Sequence, residues 1–179
     1  MPVFKNRPNT PYEINENLVV WEHRSVVVIA TVLHYQNKDP YLLLVQRSPL
    51  TIEGNKWCFP CGYLDFDESG HEAAMREAWE ESGVDLTGDN FLQRKEPWRI
   101  STVPENRQNV SLAYFFLSTN EDFPIRTGEI DNTEILNANW FRLDQLDKLN
   151  LAFNHRSIAK ELEEKILKIT GKEHAASLD

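Results

Sequence analysis

Apolar residues dominate two neighbouring segments in the first third of the chain. Residues 24–35 are rich in valine, isoleucine and leucine, and residues 41–46 form a second apolar run. The four residues between them, Asn-Lys-Asp-Pro at 37–40, include three types that favour turns. The pattern predicts a hairpin of two buried strands in the middle of a β-sheet.

A single helix is predicted between Ser69 and Gly83. Ser69 followed three residues later by Glu72 is a capping box, and Gly83 is typical of a helix C-terminus. No Gly, Pro or β-branched residue interrupts residues 73–82. Projected at about 100° per residue, one face carries small and apolar side chains and the other carries charge. The first face is Ala74, Met75, Ala78, Trp79 and Ser82, and the second is Ala73, Arg76, Glu77, Glu80 and Glu81.

The remaining segments predict further strands and a second helix. Residues 18–21, 91–100 and 110–117 have strand composition, and residues 158–169 repeat apolar side chains at helical spacing. Within the third strand, Tyr114, Phe115 and Phe116 are available to the core, and we expect at least two of them to be buried.

The two ends of the chain are predicted to lie outside the main domain. Prolines in residues 1–17 indicate an extended arm without regular structure, and residues 172–179 indicate a frayed tail. We expect an arm over residues 1–23 and one domain over residues 24–171. An apolar strand beside a polar arm needs a surface to cover, so the arm predicts a homodimer.

The length and composition of the chain limit its domain size and the classes of partner that it can bind. A chain of 179 residues suffices for one domain with a sizeable core. Its formal net charge of -9 argues against binding to nucleic acid or to an anionic membrane surface. No apolar run is long enough to span a bilayer, and the N-terminus lacks the apolar segment of a signal peptide, so we expect a cytoplasmic protein.

The candidate functional residues of the helix are three acids, Glu77, Glu80 and Glu81. At spacings of three and four residues, like charges repel by roughly 0.2–0.5 kcal/mol per pair. A hard divalent ion would relieve that repulsion, since Mg²⁺ binds carboxylate oxygens. Arg76, one turn before Glu80, could orient part of the cluster. The alternative from these residues alone is a solvated acidic surface.

The segment around this helix resembles the Nudix hydrolase signature, G-x5-E-x7-R-E-U-x-E-E-x-G-U, in which U is a bulky apolar residue. The fixed positions match, and Ala78 is the one departure, a small residue where the family has a larger apolar one. The matching residues are Gly62, Glu68, Arg76, Glu77, Glu80, Glu81, Gly83 and Val84. The resemblance covers roughly residues 24–170 and implies an α/β/α sandwich with a central mixed β-sheet.

The resemblance also implies a metal site and a catalytic base. Mg²⁺, with Mn²⁺ as a substitute, would be held by Glu77, Glu80, Glu81 and the backbone carbonyl of Cys61, which stands where the family usually has glycine. Arg76 and Glu81 are expected in the catalytic centre. Glu134 lies six residues before Trp140, as in the family's late segment, and is the candidate base, although a signature glutamate remains the alternative.

The implied substrate is a small nucleotide. The resemblance favours hydrolysis of the diphosphate bond in ADP-ribose or a nucleotide sugar, giving a nucleoside monophosphate and a sugar phosphate. Nucleoside triphosphates and dinucleoside polyphosphates remain alternatives, and a nucleotide-binding module without activity is a third. Arginine presents a planar fork of donors to phosphate. The candidate contacts are Arg47, Trp57, Arg99 and Arg107.

Cys58 and Cys61 form a C-x-x-C pair. No second Cys/His pair stands at zinc-ligand spacing, and the surrounding pattern is not that of a thioredoxin. We expect two reduced thiols in a packed loop rather than a redox or zinc site.

Overall fold

A computed structural model describes residues 10–16, 18–103, 109–124, 126 and 133–176 of the chain. The described elements are β1 (Thr10–Asn15), β2 (Leu18–Glu22), β3 (Val26–Gln36), β4 (Asp39–Arg47), β5 (Trp57–Cys58), β6 (Cys61–Tyr63), α1 (Gly70–Ser82), β7 (Phe91–Gln93), β8 (Arg99–Ser101), β9 (Val110–Ser118), β10 (Ile135–Arg142), a 3₁₀ helix (Leu143–Lys148) and α2 (His155–Ala176).

One mixed sheet forms the centre of the fold. Its strands run in the order β10-β4-β3-β9-β7, with β5 paired to β4, β6 to β3 and β8 to β9. The β3–β9 pair is parallel, whereas the other pairs are antiparallel. Asn37 and Lys38 both have positive φ, at 52° and 72°, as a two-residue turn between twisted strands requires. The hairpin predicted in the middle of the sheet is confirmed.

Successive side chains of β3 point to opposite faces of the sheet, and each face is covered by one helix. Val28, Ala30 and Val32 pack with the alanines of α1. Ile29 and Leu33 pack on the other face with the apolar side chains of α2, Ile158, Leu162 and Ile166. The expected α/β/α sandwich with a central mixed sheet is therefore confirmed.

The limits of α1 follow the sequence signals. The Ser69 hydroxyl accepts a hydrogen bond from the Glu72 N–H, the Glu72 carboxylate accepts one from the Ser69 N–H, and Gly83 has φ 72°. The projection of the helix was wrong in part, since Glu77 and Glu81 are buried while Trp79 is 39 % exposed. The small side chains of Ala73, Ala74, Ala78 and Ser82 let the helix lie close to the sheet, where a tryptophan ring has no room.

Three predicted boundaries differ from the structure. Residues 91–100 form two strands, β7 and β8, because Pro97 lacks a backbone donor and restricts the residue before it. The expectation that residues 1–17 lack regular structure is wrong for residues 10–15, which form β1; Pro11 is tolerated there because both strands of a two-stranded sheet are edges. Helix α2 continues to Ala176, beyond the expected tail boundary.

The predicted strand at 18–21 is confirmed as β2, which pairs with β1 in a separate two-stranded sheet. Residues 1–9 and 17 of the expected arm lie outside the described residues. The hairpin exposes apolar side chains, and the homodimer expected from it stays a prediction. The exposed residues are Tyr12, Ile14, Leu18, Val19 and Val20. Both Tyr114 and Phe116 are buried in the core, as expected.

The fold predicts a pH-dependent stability through His71, at the start of α1. The ring is 7 % exposed, packs 5.3 Å from the Phe116 ring, and its Nε2 has no hydrogen-bond partner in the described part of the chain. Burial lowers the pKa of His71. The unfolded chain therefore takes up a proton first, once the pH falls below about 6.5, and the folded state loses stability from there downwards.

We expect the melting temperature to fall more between pH 7.5 and pH 5.0 in the wild type than in His71→Leu. Scanning calorimetry at the two pH values measures both falls. His23→Leu, the same change at an exposed histidine, is the control and should behave as the wild type does. Equal falls in the wild type and His71→Leu would show that His71 does not carry the effect.

Candidate active site

A cavity of about 830 Å³ lies beside the first residues of β3 and β9 and the second half of α1. Its walls come from β3, the loop after β4, β6, α1, β8, β9 and the start of α2. Most of the residues predicted for the active site line it, namely Arg47, Cys61, Gly62, Glu77, Glu80, Glu81 and Glu134.

Arg76 holds together the acids at one side of this cavity. Its Nε and Nη2 donate to the Glu68 carboxylate at 3.0 and 2.7 Å, and its Nη1 donates to Glu77 at 2.7 Å and to Glu80 at 3.0 Å. Nη2 also donates to the backbone carbonyl of Tyr63 at 3.0 Å. These hydrogen bonds raise the pKa of Arg76, foremost the bond to Glu68. Arg76 therefore contacts the acids that it is predicted to orient, and its role in the catalytic centre stays a prediction.

Glu77 and Glu81 lie one helical turn apart on the buried side of α1. They are 9 % and 6 % exposed. Burial raises the pKa of Glu77, and Arg76 opposes that rise. Burial also raises the pKa of Glu81 well above its usual range, against the hydrogen bond from the Cys61 N–H. Within the described residues Glu81 has no ion pair, so a bound cation would stabilise its charged form.

The Cys61 and Gly62 peptides bring the backbone close to the two glutamates. The Cys61 N–H donates to Glu81 Oε2 at 2.8 Å. A Cβ on Gly62 would stand 2.2 Å from Glu77 Oε1, so glycine is required there for the close approach. Cys61 is not among the residues with positive φ, and its replacement of glycine therefore causes no backbone strain.

The two cysteines are free thiols, as expected. Cys58 is buried and Cys61 is half-buried. Contact with the Cys58 side chain and burial raise the pKa of Cys61, whereas the His155 side chain lowers it. His155 in turn accepts a hydrogen bond from the Phe59 N–H on Nδ1, at 3.0 Å. A raised pKa keeps the Cys61 thiol protonated and poorly nucleophilic.

Glu134 lines the same cavity as the signature acids and is exposed. Its backbone carbonyl accepts a hydrogen bond from the Ser48 N–H at 2.7 Å, which fixes the main chain at the start of β10. Its negative charge contributes to the raised pKa of Glu77. The predicted late glutamate therefore stands near the helix acids, and its role as base stays a prediction.

The structure places some of the predicted substrate contacts in the cavity lining and others outside it. Arg47 lines the cavity. Trp57 lies outside the cavity lining and packs edge-on against Phe141, with ring centroids 4.6 Å apart. Arg99 also lies outside the lining and donates to Glu161 of α2 at 2.9 Å. Arg107 lies outside the described residues.

Several cavity residues were missed by sequence reasoning. Glu53, Phe153, Asn154 and His155 line the cavity, yet they come from the loop after β4 and from the segment before α2. Neither segment has a periodic pattern or a match to the signature. Contacts between distant segments bring them to the site, among them the pairing of β5 with β4 and the bridge between Trp57 and Leu151.

The donor set suits a hard divalent cation. Glu77, Glu80, Glu81 and the Cys61 carbonyl offer only oxygen, which Mg²⁺ and Mn²⁺ prefer. Among the described residues no three acidic, histidine or cysteine side chains converge as a ready-made cage. Arg76 instead holds one oxygen each of Glu77 and Glu80. Because Glu81 is buried and forms no ion pair with any described residue, the residues fit a metal ion that would bind beside it.

Residues 22–162 match the family model described as the NUDIX domain. The chain belongs to the Nudix family. The matched range includes every signature residue named above, and it also includes Glu134. No helix in the described part of this Nudix protein is both long and apolar enough to cross a membrane.

Solved structures support the same fold. The Nudix domain of Shewanella oneidensis NrtR, complexed with ADP ribose, superposes with a TM-score of 0.61 at 20 % identity over 80 % of this chain and 89 % of that one. The Caenorhabditis elegans Ap4A hydrolase superposes with a TM-score of 0.60 at 15 % identity, over 82 % of this chain and 99 % of that one. At these identities the likeness concerns the fold alone.

Curated relatives match only over part of their length. The chain is 27 % identical to chloroplastic Nudix hydrolase 19 of Arabidopsis thaliana over 155 residues, which are 85 % of this chain and 32 % of that protein. It is 38 % identical to the phosphatase NudJ of Escherichia coli K12 over 73 residues, which are 40 % of this chain and 43 % of NudJ. The matched part is thus less than half of each relative.

The close approach at Gly62 generates a prediction for Gly62→Ala. The added methyl group would displace the Glu77 carboxylate, which is the end of a flexible side chain, so the fold should survive. We expect Mn²⁺ affinity to fall by about tenfold, the lower end of the loss usual when a metal site is disturbed. Calorimetric titration with Mn²⁺ measures the affinity, and the melting temperature reports the fold.

The matched control is Gly88→Ala, because a Cβ there meets nothing within 4 Å. It should bind Mn²⁺ as the wild type does. Unchanged Mn²⁺ affinity in Gly62→Ala would mean that Glu77 has no part in metal binding.

Proposed function

We propose that this Nudix protein is a Mg²⁺-dependent hydrolase of nucleoside diphosphates linked to another moiety. The products are a nucleoside monophosphate and the phosphorylated remainder. The observation that carries the proposal is the buried Glu81, which has no ion pair with any described residue and shares one cavity with Glu77, Glu80 and Glu134. Such a group of acids would repel a diphosphate unless a cation stood between them.

The residues divide into metal-holding and orienting groups. Glu77, Glu80, Glu81 and the Cys61 carbonyl would hold the ion, while Arg76 and the Cys61 N–H keep the carboxylates in place. When bound, Mg²⁺ would neutralise diphosphate charge and make water more acidic. The family match supports this assignment, since Nudix proteins generally use such an ion.

Arg47 and Glu134 act on the substrate and on water. The Arg47 guanidinium, which lines the cavity from the end of β4, donates to the phosphate oxygens. Glu134 accepts the proton of the attacking water as the water oxygen bonds to phosphorus. The bridging P–O bond then breaks, and the leaving phosphate takes up the charge.

ADP-ribose or a nucleotide sugar is the substrate we favour. The cavity of about 830 Å³ has the size of sites that enclose a ligand of this size. Ser101, Asn109 and Ser111 add neutral hydrogen-bonding groups suited to a sugar. The NrtR domain of the same fold is complexed with ADP ribose, which supports this choice.

A dinucleoside polyphosphate is the second candidate. It is favoured by the structural likeness to an Ap4A hydrolase. The experiment that tests both is a panel of ADP-ribose, nucleotide sugars, nucleoside triphosphates and Ap4A, assayed with Mg²⁺, with Mn²⁺ and with chelator. We expect hydrolysis of ADP-ribose or a nucleotide sugar that stops with chelator. Metal-independent hydrolysis, or none of any compound, would contradict the proposal.

The different roles proposed for Glu134 and Glu81 predict different outcomes for Glu134→Gln and Glu81→Gln. Without a base, Glu134→Gln should lose about 10²–10⁴-fold in kcat, while metal and substrate still bind. Glu81→Gln removes a buried metal-holding charge, so it should lose about 10²-fold or more in kcat and also bind Mn²⁺ weakly. Steady-state kinetics and calorimetry with Mn²⁺ measure the two effects.

Glu121→Gln, an exposed acid outside the cavity lining, is the matched control and should resemble the wild type. If Glu134→Gln keeps most of its kcat while Glu81→Gln loses activity with Mn²⁺ affinity intact, the base belongs to the helix and the assignment of Glu134 is wrong.

A further inference from the structure

Arg47 is held at two points and keeps its terminal nitrogens available. Its Nε donates to the backbone carbonyl of Ile52 at 2.8 Å. Its guanidinium carbon lies 5.0 Å from the centroid of the Phe153 ring, within cation–π distance. The two terminal nitrogens make no hydrogen bond or ion pair to any described residue. They are therefore free to donate to a ligand in the cavity that Arg47 lines.

Phe153 is itself fixed by backbone contacts. It has φ 52°, an unfavourable conformation for an aromatic residue that persists only when the surroundings enforce it. Its N–H donates to Glu53 Oε2 at 2.5 Å, and the preceding Ala152 N–H donates to the Trp57 carbonyl at 2.8 Å. Glu53 also forms an ion pair with Lys56 at 3.4 Å. The loop after β4 thus clamps the segment before α2.

The electrostatics agree with this geometry. The Phe153 N–H lowers the pKa of Glu53, so its carboxylate stays charged and remains a strong acceptor. Arg47 also contributes, as a smaller cause, to lowering the pKa of Glu53, and it opposes the rise in the pKa of Glu81. The positive charge of Arg47 therefore acts on two acids of the cavity lining, Glu53 and Glu81.

We propose that Phe153 is a positioning residue, which fixes the Arg47 guanidinium for binding the substrate's diphosphate, and that Glu53 fixes Phe153. The proposal rests on the function proposed above. An arginine side chain in solution loses much conformational entropy when it binds a phosphate. With Nε bonded and one face on a ring, that loss is already made in the free protein. The terminal guanidinium nitrogens can then donate to phosphate oxygens without further ordering of the side chain.

A merely structural Phe153 would fill space, and its loss would lower stability without acting through Arg47. A double-mutant cycle separates the two roles, because residues that act through one contact are non-additive. The probe is ADP in Mg²⁺ buffer, which supplies a diphosphate, and its affinity is measured by calorimetry. The variants are Phe153→Leu, Phe153→Tyr, Arg47→Met and the double variant Phe153→Leu with Arg47→Met.

We expect Arg47→Met to weaken ADP binding by about tenfold or more, as the loss of a charge-assisted contact does. Phe153→Leu should weaken it by about fivefold, and Phe153→Tyr, which keeps the ring, should bind within about twofold of the wild type. The double variant should bind no more weakly than Arg47→Met alone. With a hydrolysed substrate, Phe153→Leu should raise KM and leave kcat nearly unchanged.

Phe91→Leu is the matched control, since Phe91 is a buried aromatic residue of β7 outside the cavity lining. It should lower the melting temperature and leave ADP affinity unchanged. Should Phe153→Leu fail to fold, Glu53→Ala tests the same clamp, with Glu53→Gln as its partner that keeps an acceptor oxygen. Glu53→Ala should weaken ADP binding by several-fold, and Glu53→Gln should weaken it less.

Wild-type ADP affinity in Phe153→Leu or in Glu53→Ala would overturn the proposal, and so would additive losses in the double variant. Its failure is distinct from failure of the proposed function. If the protein hydrolyses ADP-ribose but Phe153→Leu leaves ADP affinity unchanged, only the positioning role is wrong. If no compound in the substrate panel is hydrolysed, yet the ADP affinities of the variants are non-additive as expected, the positioning role stands and the proposed activity is wrong.

Discussion

The structure around the cavity depends on one guanidinium group. Arg76 bonds to Glu68 from the loop before α1, to Glu77 and Glu80 from the helix itself, and to the Tyr63 carbonyl of β6. Without that charge, neighbouring carboxylates on one helix would repel each other. Arg76 is 27 % exposed, so these contacts are only partly screened by solvent. It therefore joins helix, loop and strand into one rigid wall.

Glu81 differs from the other signature acids because Arg76 does not contact it. Glu81 is buried one turn beyond Glu77 and accepts a hydrogen bond from the Cys61 N–H, and among the described residues it forms no ion pair, while Arg47 has a weaker electrostatic influence on it. A buried carboxylate with a raised pKa is costly to keep charged unless a cation arrives. The arrangement thus combines a pre-oriented set of oxygens with a buried carboxyl group whose charged form a cation would stabilise. Those are the two properties that a divalent-ion site for phosphate chemistry needs.

Local signals made α1 and the central hairpin predictable from sequence. The capping box at Ser69, the terminal Gly83 and the fixed spacing of the signature acids each act within a few residues. Contacts between distant segments were not predictable. Glu53 meets Phe153 across 100 residues of chain, and neither residue belongs to a pattern. Trp79 is exposed because the alanines set how closely the helix approaches the sheet, which a helical projection does not contain.

The central claim is that the oriented carboxylates form a divalent-metal site. Anomalous diffraction from crystals of the full chain soaked in Mn²⁺ tests it most directly. The account predicts an anomalous peak coordinated by Glu81 with oxygens of Glu77 or Glu80, while Arg76 keeps its contact with Glu68. A protein crystal with no peak at α1, or with its only peak on acids outside the cavity, would contradict the account.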